Sequence, residues 1–540
     1  MSYAVATRHE ILATLTCHGP VHVGGWEATA DADLMIARDG TGHPYLPGTS
    51  IAGAVRAYLA ATGRFDQAQL SALFGHVKPG TRDGSPSWIR IDDAHLIDDD
   101  PGTVTPCAPP TPVIRDGVGI DRCSGSAAKG FLYTREVLPA GTRFALRMVA
   151  DTPTAAPPPD VPGGWPALVD TAVDTIVAGL THGRVPIGAG RGRGLGQVAL
   201  SAITIRTADL STPTGLVAWL TGTAPLRTST ASQPPTDDRL RITISWRPRT
   251  PLLVRDSVEG TVVDTLPLTA TSTDGAVRLL LPGSSIRGAV RAHAERIVRT
   301  LRHQDAPPTI DEALRNPPDG VDVLFGTAPR GRGTTDGRRG VLAVADCHSL
   351  GHIDTQQWAP IVTTVPAGAP TDDRRDARQQ RSTARDAARA ALHHHLDQIS
   401  SALPLAVSDH VAIDRWTGGA SDHRLFSVLE PATTTGWEPI QITVDVGRLH
   451  RYPTDTTPHA LPLLLLVLRD LTDGWISLGF GGTRGHGQIE VTDITFDGAG
   501  LTTPWQALVG CTLASILADP PVEITDAMAA WADHLAQEAA

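Results

Sequence analysis

Lysine is almost missing from this sequence, and the chain carries a net negative charge. Of the 46 lysine and arginine residues, only Lys78 and Lys129 are lysines, and the formal net charge is -11 at pH 7. An acidic chain argues weakly against binding to nucleic acid. Arginine, however, is the better bidentate ligand for phosphate, and many of these arginines lie in glycine-rich turns. The composition therefore allows a local basic groove on an acidic body.

Cysteine is scarce and long apolar runs are absent. The five cysteines are Cys17, Cys107, Cys123, Cys347 and Cys511. They are scattered and form no C-x-x-C pair, which argues against a cysteine zinc site and fits a reducing compartment. The most apolar short run, residues 463–468, is far too short to span a membrane. Because no secretory signal is evident, we expect a cytoplasmic protein that does not contact a membrane.

The most informative stretch is an eleven-residue motif that occurs twice. Residues 281–291 read L-P-G-S-S-I-R-G-A-V-R, and residues 46–56 read L-P-G-T-S-I-A-G-A-V-R. Each copy predicts a Pro-Gly turn, a hydroxyl pair at the helix N-cap, and a helix with an arginine two turns in. A helix N-terminus presents N–H groups and the positive end of a dipole, so it suits a phosphate. A capped helix packed on a sheet is the alternative, which a matched second copy disfavours.

Six landmarks recur in the same order, which indicates an internal duplication. Each set has a first strand, the turn-helix motif, L-F-G, a strand with a late aspartate, I-D-R-x-[ST]-G-x-A, and a glycine-rich loop before a last strand. The late aspartates are Asp93 and Asp346. We therefore predict domains at 1–208 and 238–500, a linker at 209–237, and a C-terminal helical extension at 501–540.

The second domain is longer than the first, and we predict a helical insertion at about 352–405. Its polar helix is rich in arginine, alanine and aspartate and contains the triplet His393-His394-His395. Consecutive helical residues point to different faces, so this triplet is not expected to bind a metal ion. A solvated or partner-facing helix is the expectation.

The glycine-rich loops carry Arg193 and Arg484 at matched positions. Glycines let the backbone approach a ligand closely and supply N–H groups. Neither loop is a P-loop, because no G-K-[ST] follows. Neither matches the dinucleotide fingerprint, because both lead into a strand. One such loop alone would suggest a tight turn, but together with the paired turn-helix motifs the loops predict a groove that contacts a nucleic-acid backbone.

In this order the motifs resemble those of the RAMP superfamily, and more closely the repeated backbone subunits of type III CRISPR effector complexes. The resemblance covers most of residues 8–205 and 239–497. The chain is similar to two such subunits fused in tandem, as in some type III-D-like systems. The resemblance implies an α+β fold with two tandem ferredoxin-like, RRM-related domains, thumb hairpins and glycine-rich loops. The partners it implies are crRNA, target RNA, a large polymerase/cyclase-type subunit, a small subunit and other RAMP subunits.

The resemblance also implies which residues bind the guide RNA. Family members grip the guide backbone with the turn-helix motif and the glycine-rich loop. The matching residues are Thr49, Ser50, Arg56, Gly190 and Arg193 in the first domain, and Ser284, Ser285, Arg291, Gly481 and Arg484 in the second. The I-D-R segment belongs to the thumb, which wedges between guide and target, so Arg122 and Arg415 are expected near nucleic acid. A salt bridge to the neighbouring aspartate is the alternative for both arginines.

Cleavage of the target RNA is the activity that the resemblance implies. In the family, a loop aspartate between the first strand and the turn-helix motif serves metal-dependent cleavage. The matching residues are Asp33, with Asp31 as a close competitor, and Asp264. A carboxylate can hold Mg2+ or another divalent cation, or help to activate the ribose 2′-hydroxyl. We expect an RNA-guided endoribonuclease subunit in which Asp33 and Asp264 are catalytic and metal-binding.

Two other functions stay open. One is a structural guide-binding scaffold whose partner cuts the target. The loops that carry the aspartates depart in length from the commoner single-repeat pattern, which leaves the catalytic activity of either repeat open. A guide-processing endoribonuclease of the same superfamily would use a histidine or tyrosine as general acid or base. His18 and His22 are candidates, but His22 lies in the H-x-G-G segment that the backbone family itself uses. The duplicated thumb and loop aspartate favour the first two functions.

Overall fold

The structure is a computed structural model that describes most of the chain. The described residues are 4–25, 32–77, 80, 84–97, 111–121, 126–154, 163–228, 238–258, 260, 262–329, 331, 334, 336–362, 374–452 and 457–539. Two of the expected site residues, Asp31 and Arg122, lie outside these ranges.

The first repeat contains the following elements. Its strands are β1 (Val5–Cys17), β2 (Tyr45–Leu46), β3 (His76–Val77), β4 (Gly84–Ser85), β5 (Ile89–Ile91), β6 (Ala94–Leu96), β7 (Val113–Ile120), β8 (Ala127–Val137), β9 (Arg143–Pro153), β10 (Val198–Asp209) and β11 (Leu226–Arg227). Its helices are α1 (Gly48–Ala61), α2 (Gln67–Phe74), α3 (Gly164–Thr181) and α4 (Pro213–Leu220).

The second repeat follows the same order with additional elements. Its strands are β12 (Arg239–Pro248), β13 (Thr269–Thr271), β14 (Ala276–Leu281), β15 (Gly326–Thr327), β16 (Arg338–Arg339), β17 (Leu342–Val344), β18 (Cys347–His348), β19 (Ile353–Asp354), β20 (Leu405–Ile413), β21 (Ala420–Pro431), β22 (Ile440–Asp445) and β23 (Ile489–Asp497). Its helices are α5 (Gly283–Leu301), α6 (Ile310–Arg315), α7 (Val321–Phe325), α8 (Thr355–Val362), α9 (Arg374–Ile399), α10 (Ala460–Thr472), α11 (Leu513–Ala518) and α12 (Val522–Ala539). Short 3-10 turns lie at Val446–Arg451, Thr457–His459, Gly482–Arg484 and Trp505–Leu508.

Both repeats are built on the same antiparallel core of four strands. In the first repeat the core strands lie in the order β10-β1-β9-β5, and in the second in the order β23-β12-β22-β17. One helix follows the first core strand and another follows the third: α1 and α3 in the first repeat, and α5 and α10 in the second. This is the β-α-β-β-α-β arrangement of a ferredoxin-like fold. The expected α+β fold is confirmed.

Each repeat has its own hydrophobic core, which the strand pattern explains. Strand β12 alternates polar and apolar residues, and Leu240, Ile242 and Ile244 are fully buried. Period-two alternation of this kind places one face of a strand on the core and the other outside it. The leucine-rich run at 463–468 lies in α10, most of which is buried in the second core. Burial of these side chains supplies most of the driving force for folding each sheet with its helices.

The Pro-Gly pair of each turn-helix motif has a packing reason. Gly48 begins α1 and Gly283 begins α5. A Cβ atom on Gly48 would lie 2.1 Å from the carbonyl oxygen of Ile91, and one on Gly283 would lie 2.2 Å from that of Val344. Each helix N-terminus therefore touches the second core strand of its repeat, and only glycine fits at this contact.

Each repeat inserts a long hairpin between its second and third core strands. Strands β7 and β8 form this hairpin in the first repeat, and β20 and β21 form it in the second. Both hairpins have large apolar side chains that are exposed to solvent: Ile114, Val118, Ile120, Leu132, Val411, Ile413, Trp416 and Leu425. These hairpins correspond to the expected thumbs, and their exposed apolar side chains are typical of contact surfaces.

Residues 213–227, which fall in the predicted linker, pack on the first repeat. Strand β11 pairs with β10 at the edge of the sheet. The Arg227 Nη2 atom lies 2.9 Å from Asp174 Oδ2 on α3, and the Arg8 guanidinium lies over the Trp219 ring of α4. Strand β11 thus extends the first sheet beyond its last core strand, and helix α4 packs beside it.

The additional helices of the second repeat pack on its core. Within α9, Leu392, Leu396 and Ile399 are buried in that core, so one face of this helix is not solvated. Trp531 of α12 joins the same core. Among the described residues, no helix is both long enough and apolar enough to cross a bilayer.

Candidate nucleic-acid interface

The two loop aspartates occupy equivalent places at the bases of the thumbs. The Oδ2 atom of Asp33 accepts hydrogen bonds from the N–H group (2.8 Å) and the hydroxyl group (3.1 Å) of Thr134. The Oδ2 atom of Asp264 accepts hydrogen bonds from the N–H group (2.7 Å) and the hydroxyl group (2.9 Å) of Ser427. Thr134 lies on β8 and Ser427 on β21, the returning strands of the two thumbs. Asp33 is therefore the structural counterpart of Asp264.

One oxygen atom of each carboxylate is engaged in this way. The Oδ1 atoms of Asp33 and Asp264 accept no hydrogen bond from any described residue, and Asp33 is exposed while Asp264 is half-buried. The groups of three metal-binding side chains found among the described residues contain neither aspartate. Each loop thus offers one carboxylate oxygen, and a cation held there would take its other ligands from RNA and water.

The late aspartate of each repeat caps the helix of the turn-helix motif. The Oδ1 atom of Asp93 accepts a hydrogen bond from the Gly48 N–H at 2.7 Å. The Oδ1 atom of Asp346 accepts one from the Gly283 N–H at 2.9 Å. A carboxylate at this place satisfies a donor that the helix leaves unpaired and complements the helix dipole. The first N–H group of each predicted phosphate site is therefore already in use.

The hydroxyl pair of each motif lies in the first helical turn rather than at the N-cap, which corrects the sequence-based expectation. The N-cap residues are Pro47 and Pro282, and neither has a side-chain capping bond, because each helix begins one residue earlier than the hydroxyl pair. The four hydroxyl residues are exposed or half-buried: Thr49, Ser50, Ser284 and Ser285. They remain at the surface beside the helix N-termini.

The two motif arginines are placed differently. Arg56 is half-buried and makes no ion pair with a described residue. Arg291 is only 7% exposed, and its Nε atom donates to Glu295 Oε1 at 2.9 Å. Since Glu295 lies one helical turn further along α5, this is an internal ion pair. Arg291 is not a surface ligand in this structure, so we remove it from the guide-binding set.

In both repeats the glycine-rich loop places an exposed arginine against an aromatic residue of the thumb. The Arg193 Nη1 atom donates to the Tyr133 hydroxyl at 3.2 Å. The Arg484 guanidinium lies 5.2 Å from the ring centre of Phe426. Tyr133 and Phe426 directly precede the residues that hold the loop aspartates. The base of each thumb therefore carries an arginine–aromatic contact and, one residue further along the strand and on its opposite face, a bound loop carboxylate.

The loops turn at the two glycines that the resemblance singles out. Gly190 has a φ of +73° and Gly481 a φ of +78°, a left-handed conformation that favours glycine. Tyr133 and Phe426 were missed by the sequence analysis. An aromatic residue before a hydroxyl residue, at the same place in both thumbs, was the signal that would have found them.

The tip of the second thumb presents Arg415 beside an exposed tryptophan. The Oδ1 atom of Asp414 accepts hydrogen bonds from the N–H groups of Trp416 (2.9 Å) and Thr417 (2.8 Å). These bonds lower the pKa of Asp414. Asp414 thus closes the turn instead of pairing with Arg415. Trp416 is 95% exposed, and a projecting aromatic side chain of this kind suits insertion between bases.

The thumb of the first repeat lies on the second repeat. The Arg115 Nη1 atom is 2.6 Å from Asp346 Oδ2, and the two side chains are only 13% and 4% exposed. The Val344 N–H donates to the carbonyl oxygen of Gly192 in the first glycine-rich loop at 3.4 Å. The thumb and loop of the first repeat therefore meet the strand β17 and the late aspartate that border the turn-helix motif of the second.

Arginines are concentrated at this junction. Burial and the like charges of nearby arginines lower the pKa of Arg287 to about 9, and among those arginines Arg193 has the largest effect. Burial and the charges of Arg448 and Arg239 likewise lower the pKa of Arg191. These groups remain charged at neutral pH and repel one another, so an anion at the junction relieves the repulsion.

His22 has a structural position. It is buried, its Nδ1 atom lies 2.7 Å from the carbonyl oxygen of Glu136, and burial lowers its pKa. A neutral imidazole bound to the backbone in this way is poorly placed to transfer protons to an RNA. His18 is exposed.

Comparisons with known families agree with this architecture. A sequence model of the RAMP superfamily matches residues 14–199 and, separately, residues 248–490. A search of curated proteins found no match to the chain. The two matched regions correspond to the two ferredoxin-like repeats and together cover most of the sequence. The chain therefore belongs to the RAMP superfamily, as a CRISPR-associated RNA-binding subunit built from two tandem RAMP domains.

Proposed function

We propose that the chain is a guide-RNA-binding backbone subunit of a type III CRISPR effector complex and that it cleaves target RNA at its loop aspartates. The observation that carries the proposal is the arrangement repeated at the base of each thumb. Its members are Asp33, Tyr133 and Arg193 in the first repeat, and Asp264, Phe426 and Arg484 in the second. Two equal sets on one chain fit a repeating polymer such as an RNA strand.

The arginine and the aromatic residue of each set suit binding to single-stranded RNA. A guanidinium group binds a phosphate with two hydrogen bonds, and an aromatic ring stacks on a base. Arg193 and Arg484 are exposed, so both are accessible to RNA. Arg191 and Arg287, which are partly buried, add positive charge beneath this surface where the first repeat meets the second. The guide would follow this surface across the chain.

The thumbs would separate the guide from the target at intervals. Each thumb exposes apolar side chains, and the second presents Trp416 at its tip. Apolar wedges of this kind unstack neighbouring bases and bend the strand that carries them. A target strand bent at the thumb would pass close to the loop aspartate, because Thr134 and Ser427 fasten that aspartate to the thumb.

Each loop aspartate offers one carboxylate oxygen for metal-assisted cleavage. Mg2+ is commonly held by one or two carboxylates together with phosphates and water, and the Oδ1 atoms of Asp33 and Asp264 make no hydrogen bond with described residues. A bound cation would neutralise charge on the scissile phosphate. The carboxylate would orient or deprotonate the ribose 2′-hydroxyl. Attack by that oxygen on phosphorus, with loss of the 5′ oxygen, leaves a 2′,3′-cyclic phosphate and a 5′-hydroxyl group.

Two alternatives belong to the same family. A catalytically inactive scaffold would use the same arginines and aromatic residues to bind the guide, while a neighbouring subunit cuts the target. A guide-processing enzyme is disfavoured by the duplicated thumb and loop aspartate, and one of its two candidate histidines, His22, is buried and bound to a backbone carbonyl. We propose crRNA and target RNA as ligands. As protein partners we propose a large polymerase/cyclase-type subunit, a small subunit and other RAMP subunits. The exposed second thumb is a surface on which the next subunit would lie, as the first thumb lies on the second repeat.

Cleavage by the assembled complex tests the proposal. The complex would be loaded with guide and given a labelled complementary RNA with or without Mg2+. Asp33→Asn and Asp264→Asn each keep an oxygen that accepts from Thr134 or Ser427, so both loops should stay in place. We expect each change to abolish one discrete product, and the double variant to abolish both. The control is Asp274→Asn, an exposed aspartate on the β13–β14 turn, which should leave both products.

Two outcomes would contradict parts of the proposal. Unchanged cleavage by the double variant, with guide still bound, would make the chain a scaffold and move the chemistry to a neighbour. Cleavage of precursor guide RNA by the isolated chain would instead identify a processing enzyme.

A further inference from the structure

Three side chains that can bind a metal ion converge between the second thumb and the second glycine-rich loop. His410 lies on β20, Glu430 on β21, and His486 in the loop before β23. The Nε2 atom of His410 is 3.1 Å from Glu430 Oε1, and the Nε2 atom of His486 is 3.8 Å from the same oxygen. One ligand atom from each of the three residues lies within 4.8 Å of the other two.

Hydrogen bonding does not account for His486. Its Nδ1 atom is buried and has no hydrogen-bond partner among the described residues. The 3.8 Å separation from Glu430 is too long for a hydrogen bond from Nε2. Glu430 is itself buried, and within the described structure only His410 and His486 lie at ion-pair distance from it. A buried carboxylate needs a charged partner or hydrogen bonds, and the one donor of the described structure within hydrogen-bond distance of Glu430 is His410.

The first repeat shows that the fold does not need polar residues here. Gly117 pairs with Tyr133 as His410 pairs with Phe426. Val137 corresponds to Glu430, because each lies four residues after the aromatic residue of its thumb. Leu195 corresponds to His486, because each lies two residues after the arginine of its glycine-rich loop. These first-repeat positions are a glycine and two buried apolar residues: Gly117, Val137 and Leu195. The second repeat carries two imidazoles and a carboxylate where the first repeat has a glycine and two apolar residues.

We propose that His410, Glu430 and His486 form a transition-metal site, with Zn2+ as the ion that fits best. Zinc binds two histidines and one carboxylate at about 2.0–2.2 Å, which places tetrahedral ligand atoms roughly 3.3–3.5 Å apart. The observed separations of 3.1 and 3.8 Å lie on either side of that spacing. Nitrogen ligands disfavour Mg2+. The site is thus chemically distinct from the loop aspartates.

A metal ion at this place would fasten the glycine-rich loop to the thumb. His486 is two residues from Arg484, and His410 stacks on Phe426 with 5.2 Å between ring centres. The ion would therefore hold Arg484 over the Phe426 ring. Arg484 is also a nearby positive charge that opposes a cation, and the Glu430 carboxylate offsets it. Metal binding at this site requires no RNA, so it can be tested independently of the proposed function.

Metal binding by the full-length chain tests the proposal directly. The protein would be stripped with a chelator and titrated with Zn2+ by calorimetry, with bound zinc counted by mass spectrometry. We expect His486→Leu, which installs the first-repeat residue, to lose one equivalent of zinc. Glu430→Gln, which keeps size and shape, should weaken that equivalent by at least about 10–100-fold, the range seen even for changes in groups that only support metal ligands. Circular dichroism would verify that both variants are folded.

The control is a variant in which a histidine outside the proposed site is changed. His534→Ala, in a second group with Asp319 and His459, should leave the equivalent assigned to His486 unchanged. In the Co2+-loaded protein, His486→Leu should remove a visible absorption band that His534→Ala retains. The proposal is overturned if the wild-type chain binds no zinc, or if wild type and His486→Leu bind equal amounts with equal affinity.

Discussion

The contact between Arg115 and Asp346 predicts how strongly the two repeats are coupled. Asp346 caps α5 through Oδ1 and pairs with Arg115 through Oδ2. Asp93 caps α1 in the same way, but it is exposed and has no arginine within ion-pair distance among the described residues. Asp346→Asn and Asp93→Asn are therefore a matched pair. Both variants keep an oxygen that accepts from the glycine N–H at the start of the helix. Only Asp346→Asn also breaks a charge pair between the two repeats.

The magnitude follows from burial. Removing one member of a buried ion pair costs about 3–5 kcal/mol, because the remaining charge stays out of water. Arg115 is 13% exposed, so it regains some hydration, and we expect the lower end of that range for Asp346→Asn. Asparagine keeps an oxygen that accepts from the Gly48 N–H and loses only the charge–dipole attraction, so Asp93→Asn should change the free energy of unfolding by less than about 1 kcal/mol.

Urea unfolding of the full-length chain measures this difference. The free energy of unfolding would be compared for wild type, Asp346→Asn, Arg115→Met, the double variant and Asp93→Asn. The double variant should lose less than the sum of the two single losses, because both single changes break the same contact. The loss should persist at high salt, since buried pairs are screened little. Equal effects of Asp346→Asn and Asp93→Asn, or strict additivity, would refute this reasoning.

Three further predictions concern the interface and its surroundings. Phe426→Leu should weaken guide binding by about 2- to 5-fold, because the ring holds the Arg484 guanidinium in place and a cation–π contact contributes about 0.5–1 kcal/mol; fluorescence anisotropy measures this, and Trp219→Leu, on α4 beyond the last core strand of the first repeat, should have no effect. Trp416→Ala should leave guide affinity unchanged but weaken capture of the target by the guide-loaded chain, which a filter-binding assay distinguishes; equal weakening of both would contradict a wedge at the thumb tip. Burial lowers the pKa of His22 below the value of about 6.5 in an unfolded chain, so the stability that the neutral imidazole contributes is present above pH 6.5 and is lost as the pH falls below it. His22→Gln should flatten this pH dependence of urea unfolding, and an unchanged slope would show that other groups cause it.

The fold was predictable from sequence because its signals are local. The Pro-Gly turn, the glycine-rich loop and the strand alternation each require particular residues within a few positions, as the left-handed conformations of Gly190 and Gly481 illustrate. Two copies in the same order then identified the duplication. The first strand ends at Cys17, and the strand with a late aspartate is divided into β5 and β6 in the first repeat. It divides where Asp93 turns away to cap α1.

The site was only partly predictable, because its residues meet through tertiary contacts. The roles of Asp93 and Asp346 as helix caps depend on a helix and a strand that are distant in sequence. Phe426 looks like an ordinary strand residue until the glycine-rich loop places Arg484 against it. Arg291 did carry a local warning, because Glu295 follows it at the spacing of one helical turn. Burial of that pair decided its role.

Footprinting of a guide RNA on the full-length chain tests the central claim that each repeat binds its own segment of one guide. End-labelled guide would be probed by nuclease on wild type, Arg193→Ala and Arg484→Ala. The account predicts two protected segments in the wild type, with one lost in each variant and the other kept. A single protected segment that both variants remove together, or no protection at all, would contradict it.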